Sequence, residues 1–97
     1  MIQCTITRPD TGRVICTIKG HARYAPVGKD IVCAGVSALY QSLKLGLQEY
    51  EPAFKDQIEG FEIQNPTKIG AALVCTFIKS MECIEKTFPK YVSLCVL

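Results

Sequence analysis

The sequence predicts a two-layer α+β fold: a four-stranded, mostly antiparallel sheet with two helices on one face, in the order β-β-α-β-α-β. Three observations carry this expectation. Apolar and polar residues alternate near the N-terminus, two longer segments repeat apolar residues at helical spacing, and Gly, Pro, Asn and Asp mark the boundaries. A one-sided sheet and amphipathic helices bury their apolar faces most simply against each other. With 97 residues the chain reads as one domain, 1–97. A chain of that size buries only about 60–65% of its unfolded surface, so the core is thin.

Residues 2–8 and 13–19 read as two strands. Ile2, Cys4 and Ile6 share one face, and Val14, Cys16 and Ile18 share the matching face of the second. Pro9-Asp10-Thr11-Gly12 joins them as a turn, with Gly available for positive φ. Residues 20–29 have no clean period and are punctuated by Gly20, Pro26 and Gly28, so they read as a loop. A loop of that length in a small domain often carries function. Asp30 then caps a helix, because its carboxylate accepts a bond from an orphan N–H two or three residues on. Val32, Val36, Leu39, Tyr40, Leu43 and Leu47 follow helical spacing to about Glu49, and Pro52 lies just beyond. Residues 57–64 read as a third strand, with Phe61 and Ile63 in phase, Ile58 out of phase and an irregularity at Gly60. From Thr67 the period is helical again, with Ala71, Val74, Cys75, Ile78, Met81 and Ile84 on one face, and Pro89 closes it. Residues 91–97 are apolar and β-prone, a final strand.

Composition narrows the function. A net charge of +2, from 11 basic and 9 acidic residues with no basic run, gives no footprint for direct nucleic-acid binding. The N-terminus reaches charge quickly and lacks the long apolar stretch of a signal peptide. The longest apolar run elsewhere, 69–74, is too short to span a bilayer. The expectation is a cytoplasmic protein without membrane contact. Six cysteines invite a disulfide reading, but a reducing compartment argues against it. With no C-x-x-C pair and a single histidine, a structural zinc site has no ligand set either. No metal and no cofactor is expected. Free cysteines pack as small hydrophobes, and that is the default for Cys4, Cys16, Cys75, Cys83 and Cys95.

Cys33 is different. It falls in the first turn after Asp30, where backbone N–H groups lack helical partners and a thiolate is favoured. It also lies off the apolar stripe of its helix. His21, twelve residues earlier across the loop, is the one histidine and the matching acid/base group. A Cys–His pair suits acyl transfer, and the N–H groups of Cys33 and Ala34 are candidates to hold an oxyanion. Ser37, one turn on, either reaches the thiolate or substrate or is an ordinary polar helix residue. Asp30 is better explained as a cap than as a third catalytic member. Arg23 and Lys29 read as solvated charges, and Tyr24 and Pro26 either shape a groove or stiffen the loop.

Gly20-His21-Ala22 followed by Gly28-x-Asp30-Ile31-Val32-Cys33-Ala34-Gly35-x-Ser37-Ala38 resembles the signature of the Prp family, the ribosomal-processing cysteine proteases. The resemblance implies a bacterial endopeptidase that removes the short N-terminal extension of a large-subunit ribosomal protein, L twenty-seven, cutting after an aromatic residue. It implies His21 and Cys33 as the catalytic pair. It also implies Asp30 and Ser37 in support beside Gly20 and Ala34, a mobile loop over 22–29, and a homodimer. Two other readings compete. A non-catalytic ribosome-associated binding module would bind without turnover. A thiol sensor would need a resolving cysteine, and none lies close to Cys33 in sequence.

Overall fold

The computed structural model describes residues 1–26 and 28–97. Strand β1 (Ile2–Ile6) and strand β2 (Arg13–Lys19) pair antiparallel, with Cys4 opposite Ile18 and Ile6 opposite Cys16. Between them Pro9–Thr11 form one turn of 3-10 helix, and Gly12 closes it at φ 84°, a left-handed conformation that Gly adopts without strain. The 20-residue helix α1 (Ile31–Tyr50) follows the loop. A short strand β3 (Lys55–Gln57) and strand β4 (Gly60–Gln64) form a second hairpin. Helix α2 (Lys68–Thr87) leads to strand β5 (Val92–Val96), which pairs parallel to β1. The sheet order is β3-β4-β2-β1-β5, mostly antiparallel with one parallel edge.

The sheet therefore has five strands, one more than the sequence predicts. Residues 57–64 are not one strand. Ile58 and Glu59 make the turn of a hairpin, and the Ile58 side chain is fully exposed at 101%. The reason is physical. All three residues of β3 are exposed, so the strand carries no apolar alternation to announce it. Gly60 marks the hairpin instead: a Cβ there would overlap the Cys16 carbonyl across the ladder.

One face of the sheet is buried. Ile2, Cys4 and Ile6 of β1, Val14 and Cys16 of β2, and Phe61 and Ile63 of β4 meet Val32, Val36, Leu43 and Leu47 of α1 and Val74, Phe77, Ile78 and Met81 of α2. Full burial of each large apolar side chain contributes about 1.5–3 kcal/mol. Two residues of α2 differ from expectation. Cys75 is exposed and Phe77 is buried, so the apolar stripe runs through 70, 74, 77, 78 and 81, beside Cys75. Cys83 and Cys95 are exposed too, and only Cys4 and Cys16 pack in the core as the default reading had all five doing.

The two helices run antiparallel and are tied at the far end of the molecule. Buried Glu51, at the C-terminal cap of α1, accepts hydrogen bonds from the Thr67 N–H at 2.7 Å and the Thr67 hydroxyl at 2.5 Å. The Thr67 Oγ1 accepts from the Gly70 N–H at 3.1 Å, capping α2. Gly70 must lack a side chain, because a Cβ would overlap the Glu51 carboxylate.

Candidate active site

The opposite end of α1 is open. His21 is delivered there by β2. Gly20 stands at φ 91°, and a Cβ on it would overlap the Met1 carbonyl oxygen. The backbone at the end of β2 thus passes the N-terminal residue at a distance that only glycine tolerates. The next residue, His21, is exposed, and Ala22 turns back into the core at 3% exposure. The histidine is therefore held between a steric fixture and a buried anchor.

The loop after it is fastened twice. The Tyr24 ring packs edge-on against Phe88 at 5.4 Å and Tyr91 at 5.1 Å between centroids. Aromatic pairs of this kind contribute about 0.5–1.5 kcal/mol beyond their buried area. The Tyr24 N–H donates to Asp30 Oδ2 at 3.0 Å. Arg23, just before it, takes a left-handed φ of 56°, which costs a non-glycine residue about 1–2 kcal/mol. Tyr24 thus packs as an anchor of the loop against Phe88 and Tyr91. Val27, which falls within the expected loop 20–29, lies outside the described residues.

Asp30 joins the loop to the helix. Its Oδ1 accepts the Cys33 N–H at 2.9 Å, as the N-cap expectation required, while Oδ2 holds Tyr24. The Cys33 N–H first, then the N–H groups of Tyr24, Ala25 and Val32, hold the Asp30 carboxyl below the usual carboxylate range. One expectation is corrected by this arrangement. The Cys33 N–H is taken by the Asp30 carboxylate, and the Ala34 N–H donates to the Asp30 carbonyl at 3.0 Å. Neither is a free oxyanion donor in this conformation, because the cap and the first helical bond already use them.

Cys33 is half-buried and faces a cavity of about 660 Å³ lined by His21, Asp30, Ala34, Ser37 and the loop residues Arg23 and Lys29. The lining brings together the candidate pair His21 and Cys33 with the supporting residues Asp30, Ala34 and Ser37. Gly20 lies outside it but lines a second cavity, of about 220 Å³, that shares His21, Cys33 and Ser37 with the first. The Ser37 hydroxyl makes no hydrogen bond among the described residues. Sequence reasoning passed over the cavity contributions of Arg23, Lys29 and the 62%-exposed Ile31. Their exposed, polar or flanking positions look ordinary until the loop folds back over the helix.

This geometry suits attack on a carbonyl. A thiol at a helix N-terminus shares an open cavity with an imidazole, and a hydroxyl stands one turn along the same helix. The comparisons with known proteins agree. A family model described as cysteine protease Prp matches residues 1–93. The crystal structure of the essential ribosomal processing protease Prp from S. aureus, in complex with a covalently linked product peptide, is 25% identical. It aligns over 100% of both chains with a TM-score of 0.81. The same S. aureus protease in complex with a substrate peptide is 24% identical over 100% of both chains, with a TM-score of 0.71. SMU.848 from Streptococcus mutans is 24% identical, covers 100% of this chain and 94% of its own, and has a TM-score of 0.69. Among the curated proteins nothing matches. With the family model spanning nearly the whole length, the chain belongs to the Prp family of cysteine proteases.

Proposed function

We propose that the protein is an endopeptidase in which Cys33 is the nucleophile and His21 the acid/base, acting on the N-terminal extension of a large-subunit ribosomal protein, L twenty-seven. The observation that supports this most directly is that the chain's one histidine and its helix-N-terminal cysteine line the same cavity in a member of a cysteine protease family. The ribosomal substrate rests on the signature around His21 and Cys33 and on the S. aureus relative, a ribosomal processing protease in complex with a substrate peptide.

The steps follow from the groups present. The Cys33 thiolate attacks the scissile carbonyl carbon, and the carbonyl π electrons move to oxygen. Collapse of that oxyanion breaks the C–N bond, and His21 protonates the departing amine. A water then enters, gives a proton to His21 and attacks the thioester carbon. Release of the carboxylate product restores the Cys33 thiolate. The oxyanion needs donors, and the N–H groups of Cys33 and Ala34 are engaged by Asp30. The Ser37 hydroxyl, on the cavity wall one turn along, is assigned that role. Asp30 acts as a positioning residue, holding the loop and the nucleophile's helix turn in one arrangement. The homodimer implied by the family signature is part of the same reading and is checked by light scattering at micromolar concentration.

The test is cleavage of a peptide spanning the extension and the first residues of the mature substrate, read by mass spectrometry. One new pair of fragments is expected from the wild type and none from Cys33→Ala. Equal cleavage by Cys33→Ala, or no cleavage by the wild type, overturns the assignment.

A further inference from the structure

Cys75, Cys83 and Cys95 are exposed and line neither cavity that holds His21 and Cys33. Their own surroundings differ. Cys75 opens into a cavity of about 520 Å³ between the Pro9–Thr11 turn and α2, which shares no residue with those two. Four charged side chains stand around it, two of each sign: Arg8 and Asp10 on the turn side, Lys79 and Glu82 on the helix. Among the described residues none of the four makes a salt bridge; the ion pairs are Arg13–Glu62 and Lys44–Asp56. Cys95 lines a cavity of about 350 Å³ whose one charged residue is Lys19, and Cys83 lines neither of these cavities. Exposure is therefore common to the three thiols, and a cavity with unpaired charges of both signs belongs to Cys75.

We infer that this cavity is a covalent site for a small zwitterionic thiol of the glutathione class, which binds as its disulfide and is transferred to Cys75. The volume lies within the range of small-molecule sites. Arg8 and Lys79 suit the carboxylates of such a ligand, the guanidinium through paired N–H donors. Asp10 and Glu82 suit its ammonium group, and buried Ile78 offers an apolar surface to its carbon chain. A plain anion would be repelled by the two carboxylates, and an apolar molecule would strip water from four charges without pairing them. Cys75 and Lys79 are four residues apart on α2 and so are neighbours on one helix face. A disulfide whose carboxylate is held by Lys79 therefore has a sulfur within reach of the thiol. The Cys75 thiolate attacks that sulfur, a new S–S bond forms, the old one breaks, and the other half leaves as a thiolate. Cys75 is oxidised and the departing thiol is reduced, so the ligand itself is the oxidant.

The test incubates the whole protein with oxidised glutathione and, separately, with the neutral 2-hydroxyethyl disulfide. Adduct formation at Cys75, Cys83 and Cys95 is followed residue by residue by mass spectrometry. With oxidised glutathione, Cys75 is expected to react about tenfold faster than the other two, the advantage that charge focusing in a cavity confers. Arg8→Ala and Lys79→Ala should each remove most of that lead, with the circular dichroism spectrum unchanged. With the neutral disulfide the three rates should be similar, and neither variant should change them. Equal rates at the three cysteines with oxidised glutathione overturn the site. A Cys75 lead of the same size with both disulfides, or one that survives in both variants, also overturns it, because the charges then play no part. The peptidase reading is untouched by either result.

Discussion

The two helices begin in similar ways and end up serving different purposes. Each N-terminus is capped by a side-chain oxygen that accepts the N–H three residues on, Asp30 for Cys33 and Thr67 for Gly70. Each cap is tied to another segment through a carboxylate: Asp30 holds the Tyr24 N–H, and Glu51 holds Thr67. The difference is in what covers them. The α2 end is closed, with Glu51 only 4% exposed and Gly70 pressed against its carboxylate. The α1 end opens into the cavity that holds His21 and Cys33. Local capping physics is common to both, and access decides which one can do chemistry.

The contrast can be broken most sharply at Cys33, the proposed nucleophile. Cys33→Ala is expected to lose at least ~10⁴-fold in peptidase rate, as removal of a nucleophile does. The fold should survive, as judged by an unchanged circular dichroism spectrum. His21→Ala should lose ~10²–10⁴-fold. In that variant the alkylation of Cys33 at neutral pH should slow toward the rate of exposed Cys75, Cys83 and Cys95. A Cys33 rate indifferent to His21 would separate the two residues functionally.

At the closed end the readout is stability. Glu51→Ala takes the charged acceptor away from the Thr67 N–H and hydroxyl and should cost about 1–3 kcal/mol in urea unfolding. Activity per folded molecule should be little changed. The glycines of the two helices sharpen the comparison further. Gly70→Ala meets the Glu51 carboxylate and should destabilise by about 1–3 kcal/mol. Gly35→Ala enters open space within α1 and should stabilise by about 1 kcal/mol, the ordinary helix preference for Ala. Opposite signs at the two sites are the expected outcome.

The smallest effect belongs to Asp30→Asn. Asn still caps the helix but cannot accept the Tyr24 N–H through its amide nitrogen, so cleavage should fall severalfold with the fold retained. The pH dependence has a definite sign. Because the Asp30 carboxyl is held below its usual range, its contribution to stability is present above about pH 4 and is lost as the pH falls further, through the lowered value. The melting-temperature difference between wild type and Asp30→Asn should therefore be constant near neutrality and shrink in strong acid.

Much of this was legible in order along the chain. The β1–β2 hairpin, the cap of α1 at Asp30, the course of both helices and the terminal strand follow from local periodicity and turn chemistry. His21 and Cys33 were legible as candidates too, because a lone histidine in a loop and a cysteine in a helix's first turn are local facts, and the fold places both on one cavity. What local pattern could not carry was anything defined by contact between distant segments. Strand β3 has no apolar face and exists only because β4 offers it an edge. The exposure of Cys75 against the burial of Phe77 depends on where α2 meets the sheet. The engagement of the Cys33 and Ala34 N–H groups by Asp30, and the small cavity assembled from β1, β2 and α1, likewise exist only once the chain has closed on itself. The sequence by itself determined most of the elements, the Asp30 cap and His21 and Cys33 as the candidate pair, since each depends on residues within a turn or two. Tertiary structure alone decided which helix end is open, which donors are occupied and which side chains line the cavities beside Cys33, since those depend on packing across the whole core.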